Sequence, residues 1–182
     1  MKPAPFEYVR ATSVDEALAA LAAGNGEAKL LAGGQSLVPM MNFRLVDAPV
    51  FDDINGIAEL AGIEATANGG LCIGALTRHY TLETSDAVRT RFPVLHEAMK
   101  HVAHLAIRNR GTIGGSLSHA DPAAELPAMA VLLNAMIVTV SPSGGREIAA
   151  EDFFLAPLTT ALKPDEIVLA VDFPGLPPGA GW

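Results

Sequence analysis

Residues 32–36 read Ala-Gly-Gly-Gln-Ser. Ala32 is also the last residue of a short apolar run, residues 28–32, that has the length of a β-strand. Glycine permits positive φ angles and allows a ligand to approach the backbone closely. Successive N–H groups in such a turn form a concave anion site, and Gln35 and Ser36 add side-chain donors. A Gly-Gly pair also occurs in ordinary tight turns, so this loop alone leaves a phosphate site and a plain turn as alternatives.

A second loop of similar composition occupies residues 112–116, Thr-Ile-Gly-Gly-Ser, and is preceded by Gly111. The surrounding segment 106–118 has no helical period, so it is predicted to be irregular. Two such loops in one chain favour a ligand that carries a diphosphate. The sequence contains neither G-x-G-x-x-G nor G-x-x-x-x-G-K, so neither a Rossmann site nor a P-loop is predicted.

The rest of the pattern mixes helices with strands. Ser13 and Glu16 have the spacing of a capping box before an amphipathic helix. Asn68-Gly69-Gly70 predicts a hairpin between strands at 63–67 and 71–75. Further helices are predicted at 37–43, at 92–104 and from between 121 and 127 to about 134, and further strands at 50–54, 136–140, 146–149 and 167–173. The third of these helices is apolar nearly all round and is expected to be buried. This order predicts an α+β fold and not a regular βαβαβ series.

Composition excludes several classes of function. The 182 residues carry a net charge of −8, which argues against a nucleic-acid partner. No apolar run approaches the roughly 18 residues needed for a membrane span, and no signal peptide is predicted. The single cysteine, Cys72, excludes a zinc or iron–sulfur site built on cysteines and an internal disulfide. A cytoplasmic location is therefore expected, and Cys72, in an apolar stretch, is expected to be an inert thiol.

Two groups of polar residues are of the types found in metal sites and in acid–base pairs. His96, His101 and His104 lie on one predicted helix, but their spacing does not place them on one face, so no metal site is predicted. His119 and Asp121 form an H-x-D pattern next to the second loop. They can be a base with its orienting carboxylate, or part of the polar wall of a ligand site, and the second interpretation is favoured. No catalytic residue is predicted.

In their wider context the two loops resemble a known family. Residues 29–39 and 108–116 are similar to the FAD-binding medium subunit of the xanthine dehydrogenase and aerobic carbon monoxide dehydrogenase (molybdenum hydroxylase) family. Further matches lie at 73–77 (Ile-Gly-Ala-Leu-Thr), 120–127 (Ala-Asp-Pro-Ala-Ala-Glu-Leu-Pro) and 165–169 (Asp-Glu-Ile-Val-Leu). The resemblance covers essentially the whole chain, and the order of its motifs is specific.

The resemblance implies a two-lobed α+β FAD-binding domain of the PCMH/CO-dehydrogenase flavoprotein type. This domain would occupy residues 1–173, with lobes at approximately 1–55 and 56–173 and the flavin between them. Residues 174–182 form a Pro/Gly-rich linker. The family's smaller C-terminal domain would begin there and close over the flavin, so the chain is expected to lack that domain.

The resemblance also implies a set of cofactor-binding residues. The stretches 30–37 and 112–116 would hold the pyrophosphate from either side, Glu125 would be an acidic FAD contact, and Val102 and Val168 would make apolar contacts. By their residue types alone, Glu125 is equally a helix-start acid and the two valines are core residues. The implied set is Leu30, Leu31, Ala32, Gly33, Gly34, Gln35, Ser36, Leu37, Val102, Thr112, Ile113, Gly114, Gly115, Ser116, Glu125 and Val168. The first loop has no histidine, so FAD is expected to be noncovalent.

The function implied by the resemblance is electron transfer within a hetero-oligomer. A molybdenum cofactor on a large subunit would oxidise the substrate, and 2Fe-2S clusters on a small subunit would pass electrons to FAD on this chain and then to an external acceptor. Two alternatives stay open: an incomplete module that serves as an assembly surface without tight FAD binding, and a stand-alone flavoprotein oxidoreductase. Carbon monoxide, a purine, another heterocycle or an aldehyde are all compatible with this chain.

Overall fold

Two unlike β-sheets organise the residues that the computed structural model describes, 2–177 and 179–180. In the first sheet all strands are parallel and lie in the order β1-β3-β2. Its strands are β1 (Glu7–Arg10), β2 (Lys29–Leu31) and β3 (Val50–Asp53), and the connecting helices are α1 (Val14–Ala23) and α2 (Leu37–Asn42). Helical crossovers are what parallel neighbours require. Of the predicted linker, Pro178, Gly181 and Trp182 lie outside the described residues.

This first unit is a local βαβαβ series, which the sequence pattern did not predict. The unpredicted element is β1, in which only Val9 is partly shielded from solvent and the other side chains are exposed. An exposed edge strand has no alternation of apolar and polar residues to identify it. The α+β class of the whole chain is confirmed, because the second sheet is antiparallel.

The predicted start of helix α1 is confirmed at Ser13. The Ser13 hydroxyl accepts a hydrogen bond from the backbone N–H of Glu16 at 3.2 Å. The reciprocal half of the capping box is different, because the Glu16 carboxylate accepts from the backbone and side chain of Thr12, at 2.7 and 2.8 Å. Both contacts fix the path of the chain into the helix.

Replacing Ser13 with alanine is expected to lower the free energy of unfolding by about 1 kcal/mol, because the Glu16 N–H loses its acceptor. Urea unfolding followed by circular dichroism measures the change. Ser13→Thr is the matched control, since it keeps the hydroxyl and should stay within a few tenths of a kcal/mol of the wild type. Equal stability of the Ser13→Ala variant and the wild type would mean that the cap contributes nothing.

The second sheet is antiparallel and has the order β4-β5-β10-β6-β7. Its strands are β4 (Ile63–Ala65), β5 (Leu71–Gly74), β6 (Met136–Ser141), β7 (Gly144–Ala149) and β10 (Ile167–Phe173). The predicted hairpin β4–β5 is confirmed, and Gly69 takes the positive φ of 84° that its turn requires; the predicted strands β6 and β7 also pair with each other as a hairpin. The last strand, β10, inserts between the two hairpins and joins them into one sheet.

Helices cover one face of this second sheet. They are α3 (His79–Thr84), α4 (Asp86–Arg91), α5 (Pro93–Met99), α6 (Leu105–Arg108), α7 (Ile113–His119), α8 (Glu125–Leu132) and α9 (Ala150–Phe153). A small hairpin, β8 (Phe154–Ala156) and β9 (Thr159–Thr160), follows α9. The main core lies between the helices and the sheet, where Leu71, Ile73, Phe92, Leu95 and Phe173 are almost wholly buried.

Three helix predictions are corrected. The helix predicted at 92–104 ends at Met99, and Ala103 beyond it has a positive φ of 41°. Helix α8 was expected to be buried all round, but Val131 and Leu132 are exposed because only one side of the helix packs on the core. The segment 106–118, predicted to be irregular, contains α6 and α7. Both are short, and the glycines of α7 hide its period.

A second apolar core joins the two sheets. Leu18 and Leu21 of α1 and Ile54 after β3 pack in one cluster with Leu76 and Ile167, which belong to the second sheet and its connections. These side chains are at least nine-tenths buried. The two units therefore share a core, and the division near residue 55 stays a prediction.

Candidate functional site

A cavity of about 770 Å³ lies where the two glycine loops face each other. Small-molecule and cofactor sites typically have about 300–1,000 Å³. All the cofactor-binding residues predicted from sequence line this cavity except Leu31 and Ile113. The structure therefore brings together two segments that are about 80 residues apart in the chain.

Leu31 and Ile113 have structural positions instead. Ile113 is fully buried in the main core. Leu31 ends strand β2, and its carbonyl accepts the backbone N–H of Ile54 at 3.1 Å. Neither residue lies in the wall of the cavity, because strand and core packing turn each of them away from it.

The first loop offers a run of free backbone donors. Within the described residues, the N–H groups of residues 33–37 donate no hydrogen bond to the protein. The loop is held by other atoms: the Gln35 side chain donates to the Gly33 carbonyl at 2.9 Å, and the Gly34 carbonyl accepts from Val38 N at 3.0 Å. Gly34 has a φ of 72°, the left-handed conformation that glycine adopts without strain. Five successive unpaired amides beside a cavity suit a phosphate group.

The second loop differs, because its backbone donors are already used. Ile113 N donates to the Thr77 carbonyl at 3.1 Å and Gly114 N to the Ala75 carbonyl at 2.8 Å. Thr112 caps helix α7, with its hydroxyl accepting from Gly115 N at 3.2 Å and its carbonyl from Ser116 N at 3.0 Å. The expectation that both loops present the same chemistry is therefore corrected. In the second loop the amides of residues 113–116 are thus satisfied within the protein, and Ser116 lines the cavity.

The two loops touch through backbone atoms. A Cβ on Gly33 would overlap the carbonyl oxygen of Arg110 and would lie 2.9 Å from the Cα of Gly111. A Cβ on Gly114 would lie 2.6 Å from the Cβ of Ala75. These glycines are required because main chains pack directly on one another at these points.

A polar chain crosses from the first sheet to the second loop. Asn55 Nδ2 donates to the carbonyl of Ala32 at 2.8 Å and to the carboxylate of Asp53 at 2.6 Å. Asn55 Oδ1 accepts from Arg78 Nη2 at 2.6 Å, and Arg78 Nη1 donates to the Arg110 carbonyl at 2.6 Å. The carbonyl that packs against Gly33 is thus also held by a guanidinium.

His79 lies behind the second loop and reaches the cavity wall. Its ring is 6% exposed, and Nε2 lies 3.0 Å from the Thr112 carbonyl. A carbonyl only accepts, so Nε2 carries the proton. Nδ1 is buried without a hydrogen-bond partner among the described residues and faces Gly111. Burial lowers the pKa of His79, so the ring is neutral and braces the loop.

Glu125 and the two valines have positions that fit both of their interpretations. Glu125 is the first residue of helix α8 and also lines the cavity. Val102 and Val168 are 8% and 6% exposed, belong to the main core and reach the cavity wall. His119 and Asp121 line the cavity too, and Asp121 accepts from Ala123 N at 2.9 Å. Their place in the wall agrees with the interpretation as polar lining.

An ion pair holds another part of the cavity wall, beside the start of strand β10. Glu166, whose side chain is 2% exposed, accepts from Arg146 Nε and Nη2 at 2.5 and 2.7 Å. It also accepts from Thr139 at 3.0 Å and from Lys163 N at 2.9 Å. The hydrogen bonds from Arg146 hold the pKa of Glu166 down at about 2. This network fixes the turn 161–166, from which Leu162 and Lys163 line the cavity.

Other reactive side chains stand apart from the cavity. Burial and the neighbouring carboxylate of Asp172 raise the pKa of the Cys72 thiol to about 12, so it stays protonated. Within residues 2–177 and 179–180, no group of three or more His, Cys, Asp or Glu side chains is placed to hold a metal ion. Over the same residues, no helix has the length and apolar character that crossing a membrane requires.

Sequence reasoning missed Asn55, Arg78 and His79. Arg78 and His79 directly follow the segment 73–77, and Asn55 lies two residues after the end of strand β3. Polar residues just past the end of a strand are placed to reach a site at the sheet edge, which is the signal that was available. Their partners, however, are 23 to 33 residues away in the chain.

Comparisons with known proteins agree on one family. The family of FAD binding domains in molybdopterin dehydrogenases matches residues 4–176. The whole chain is 45% identical to the 6-hydroxypseudooxynicotine dehydrogenase complex subunit alpha of Paenarthrobacter nicotinovorans, of which it covers 61%. Over 93% of its length it is 31% identical to the xanthine dehydrogenase FAD-binding subunit of Escherichia coli O157:H7, of which it covers 58%.

A solved structure supports the same grouping. The chain superposes on a chain of carbon monoxide dehydrogenase from Hydrogenophaga pseudoflava with a TM-score of 0.97 and 41% identity, covering 100% of this chain and 63% of that one. The chain thus spans about 60% of the length of the relatives that it matches.

Proposed function

Because this chain belongs to the family of FAD-binding domains of molybdopterin dehydrogenases, we propose that it is the FAD-binding part of a molybdenum hydroxylase flavoprotein subunit. In this role it holds noncovalent FAD and passes electrons from iron–sulfur clusters on a partner subunit to an external acceptor. The observation that carries the proposal is the run of five unpaired amides at residues 33–37, at the edge of a cofactor-sized cavity.

The residues present fit FAD. A diphosphate needs several hydrogen-bond donors. The residues that line the cavity include those of the first loop with its unpaired amides, two serines that carry hydroxyl donors, Ser36 and Ser116, and two lysines that carry positive charge, Lys29 and Lys163. Val102 and Val168 also line the cavity and would supply apolar contacts to the bound cofactor. FAD itself supplies the redox chemistry, and the chain binds and orients it.

The two alternative functions have less support. An assembly surface without FAD gives no reason for a run of amides without protein partners to line a cavity of cofactor size. A stand-alone oxidoreductase needs its own acid–base pair. His119 and Asp121, the sequence's best pair, both line the cavity, but no hydrogen bond joins them in the described residues. The observations therefore favour a binding and relay role.

Titrating the purified chain with FAD tests the proposal. We expect binding with a Kd of about 1 µM or tighter, seen as quenching of flavin fluorescence. Riboflavin, which lacks phosphate, should bind at least about tenfold more weakly if the amides hold the diphosphate. Failure to bind FAD at micromolar concentrations would sink the proposal, and equal affinity for riboflavin would refute the placement of the diphosphate.

The proposed partners are an iron–sulfur small subunit and a molybdenum-binding large subunit, and the proposed location is the cytoplasm. One cysteine cannot ligate an iron–sulfur cluster alone, so residues 1–182 do not supply the ligands of a cluster by themselves. The same composition excludes an internal disulfide, as suits a reducing compartment. Co-purification with proteins that carry molybdenum and iron is the expected result, and isolation of a single flavoprotein species would argue for the stand-alone alternative.

A further inference from the structure

The polar chain of Asp53, Asn55, Arg78 and the Arg110 carbonyl, here called the inter-sheet bridge, links the two glycine loops. At one end Asn55 holds the carbonyls of Leu31 and Ala32, at 3.3 and 2.8 Å, immediately before the first loop. At the other end Arg78 holds the carbonyl of Arg110, immediately before the second loop. Both loops are therefore tied to one side-chain pair.

The geometry of Asn55 leaves one arrangement of its amide. Its Nδ2 faces two carbonyls and a carboxylate, which only accept, and its Oδ1 faces a guanidinium, which only donates. The Asp53 carboxylate also accepts from Asn55 N at 2.8 Å and from the Tyr8 hydroxyl at 2.5 Å. Asn55 is thus held from both sides and cannot rotate without losing several hydrogen bonds.

Arg78 occupies an unfavourable electrostatic position for a purely structural arginine. It is half-buried, and no carboxylate pairs with it within 4 Å among the described residues. Burial and the neighbouring charge of Arg110 lower the pKa of Arg78. Its fork-shaped guanidinium donates instead to two neutral oxygens, the Asn55 side-chain carbonyl and the Arg110 main-chain carbonyl, a geometry that lysine cannot reproduce.

We propose that Arg78 and Asn55 are positioning residues that fix the distance between the first and second glycine loops and thereby set the affinity of the chain for FAD. This inference rests on the proposed function for its effect on FAD, but the bridge itself is a property of the chain. Five amides can all point at one diphosphate only if the loop that carries them stays in register with the opposite wall. The Arg110 carbonyl, which Arg78 holds, is the surface on which Gly33 rests.

A double-mutant cycle on FAD affinity tests the coupling. Arg78→Met and Asn55→Ala are each expected to weaken FAD binding about tenfold, the effect of losing a hydrogen bond to a charged group. The double variant should be no weaker than either single variant, because one break is enough to open the bridge. Arg78→Lys should recover part of the loss, since its ammonium reaches one acceptor but not both.

Arg89→Met is the matched control. Arg89 pairs with Asp86 on the exposed surface, where the two side chains are 63% and 87% exposed, and the variant should bind FAD like the wild type. Wild-type affinity in Arg78→Met would overturn the proposal. So would losses that simply multiply in the double variant, because they would mean that the two residues act separately.

Amide hydrogen exchange in the flavin-free chain separates this inference from the proposed function. The amides of Ile54 and Ile113 donate to Leu31 and Thr77, at the two ends of the bridge. Arg78→Met should raise exchange at both sites about tenfold, and Arg89→Met should leave it unchanged. Unchanged exchange in Arg78→Met would refute the bridge whether or not the wild type binds FAD, whereas a wild type without FAD binding and with the expected exchange would refute only the proposed function.

Discussion

Replacing Gly33 with alanine is expected to reduce FAD affinity at least about a hundredfold, the loss of two or more amide–phosphate hydrogen bonds. The added Cβ overlaps the carbonyl oxygen of Arg110 and crowds the Cα of Gly111. Both are backbone atoms, so neither loop can yield by a side-chain rotation. The first loop must move away and take its unpaired amides with it. Fluorescence titration measures the affinity, and thermal unfolding should show an accompanying loss of stability of about 1–3 kcal/mol from overpacking.

Gly145→Ala is the matched control for this substitution. Gly145 lies in strand β7, has an ordinary φ, and a Cβ there would come no closer than 3.3 Å, to the Thr139 carbonyl. The variant is expected to keep wild-type FAD affinity. If Gly33→Ala also kept it, the close approach of the two loops would have no part in binding.

Replacing Glu166 with glutamine is expected to lower the free energy of unfolding at pH 7 by about 3 kcal/mol, the value of a carboxyl pKa lowered from 4.5 to about 2. The variant keeps the volume of the side chain but loses the charge that Arg146 pairs with. A carboxyl group with a lowered pKa binds fewer protons in the folded state. Its contribution is therefore complete above pH 4.5 and is lost as the pH falls toward 2.

Urea unfolding at a series of pH values from 7 to 3 measures this effect. The gap between the wild type and Glu166→Gln should be largest at pH 7 and should shrink on acidification. Glu147→Gln is the control, because Glu147 is exposed, follows Arg146 on strand β7, and forms no hydrogen bond or ion pair in the described residues. A gap that stays constant with pH would show that packing, and not charge, makes Glu166 important.

The sequence predicts those parts of the fold that local chemistry decides. The Asn68-Gly69-Gly70 turn fixes its hairpin because few residues adopt the required φ, and Ser13 marks the start of α1 because its hydroxyl reaches the third helical amide. The strand at Ile167–Phe173 was predicted from its apolar residues alone. Its place between β5 and β6 was not, because strand order depends on pairings between distant segments.

The candidate site shows the same division between local and distant information. The two loops were found because glycine pairs are visible in sequence, and the family resemblance is confirmed. Helix α7 was missed because glycine has a low helix propensity, which a Thr112 cap and hydrogen bonds to Ala75 and Thr77 overcome here. Arg78 was missed because no residue near it in the sequence indicates its partner, Asn55, which follows a strand of the first sheet.

The two loops differ in how many of their backbone amides are already hydrogen-bonded within the protein. This difference determines which loop loses more conformational entropy when a cofactor binds. The amides of residues 113–116 are satisfied by the protein itself, so that wall is already ordered before any cofactor arrives. The amides of residues 33–37 are left to water until an anion replaces it. Ordering on association therefore concentrates in one short segment of five residues, and immobilising a backbone residue costs about 1–2 kcal/mol. A loop that is already restrained at both ends loses only part of this conformational entropy on binding. More of the contact energy therefore contributes to affinity.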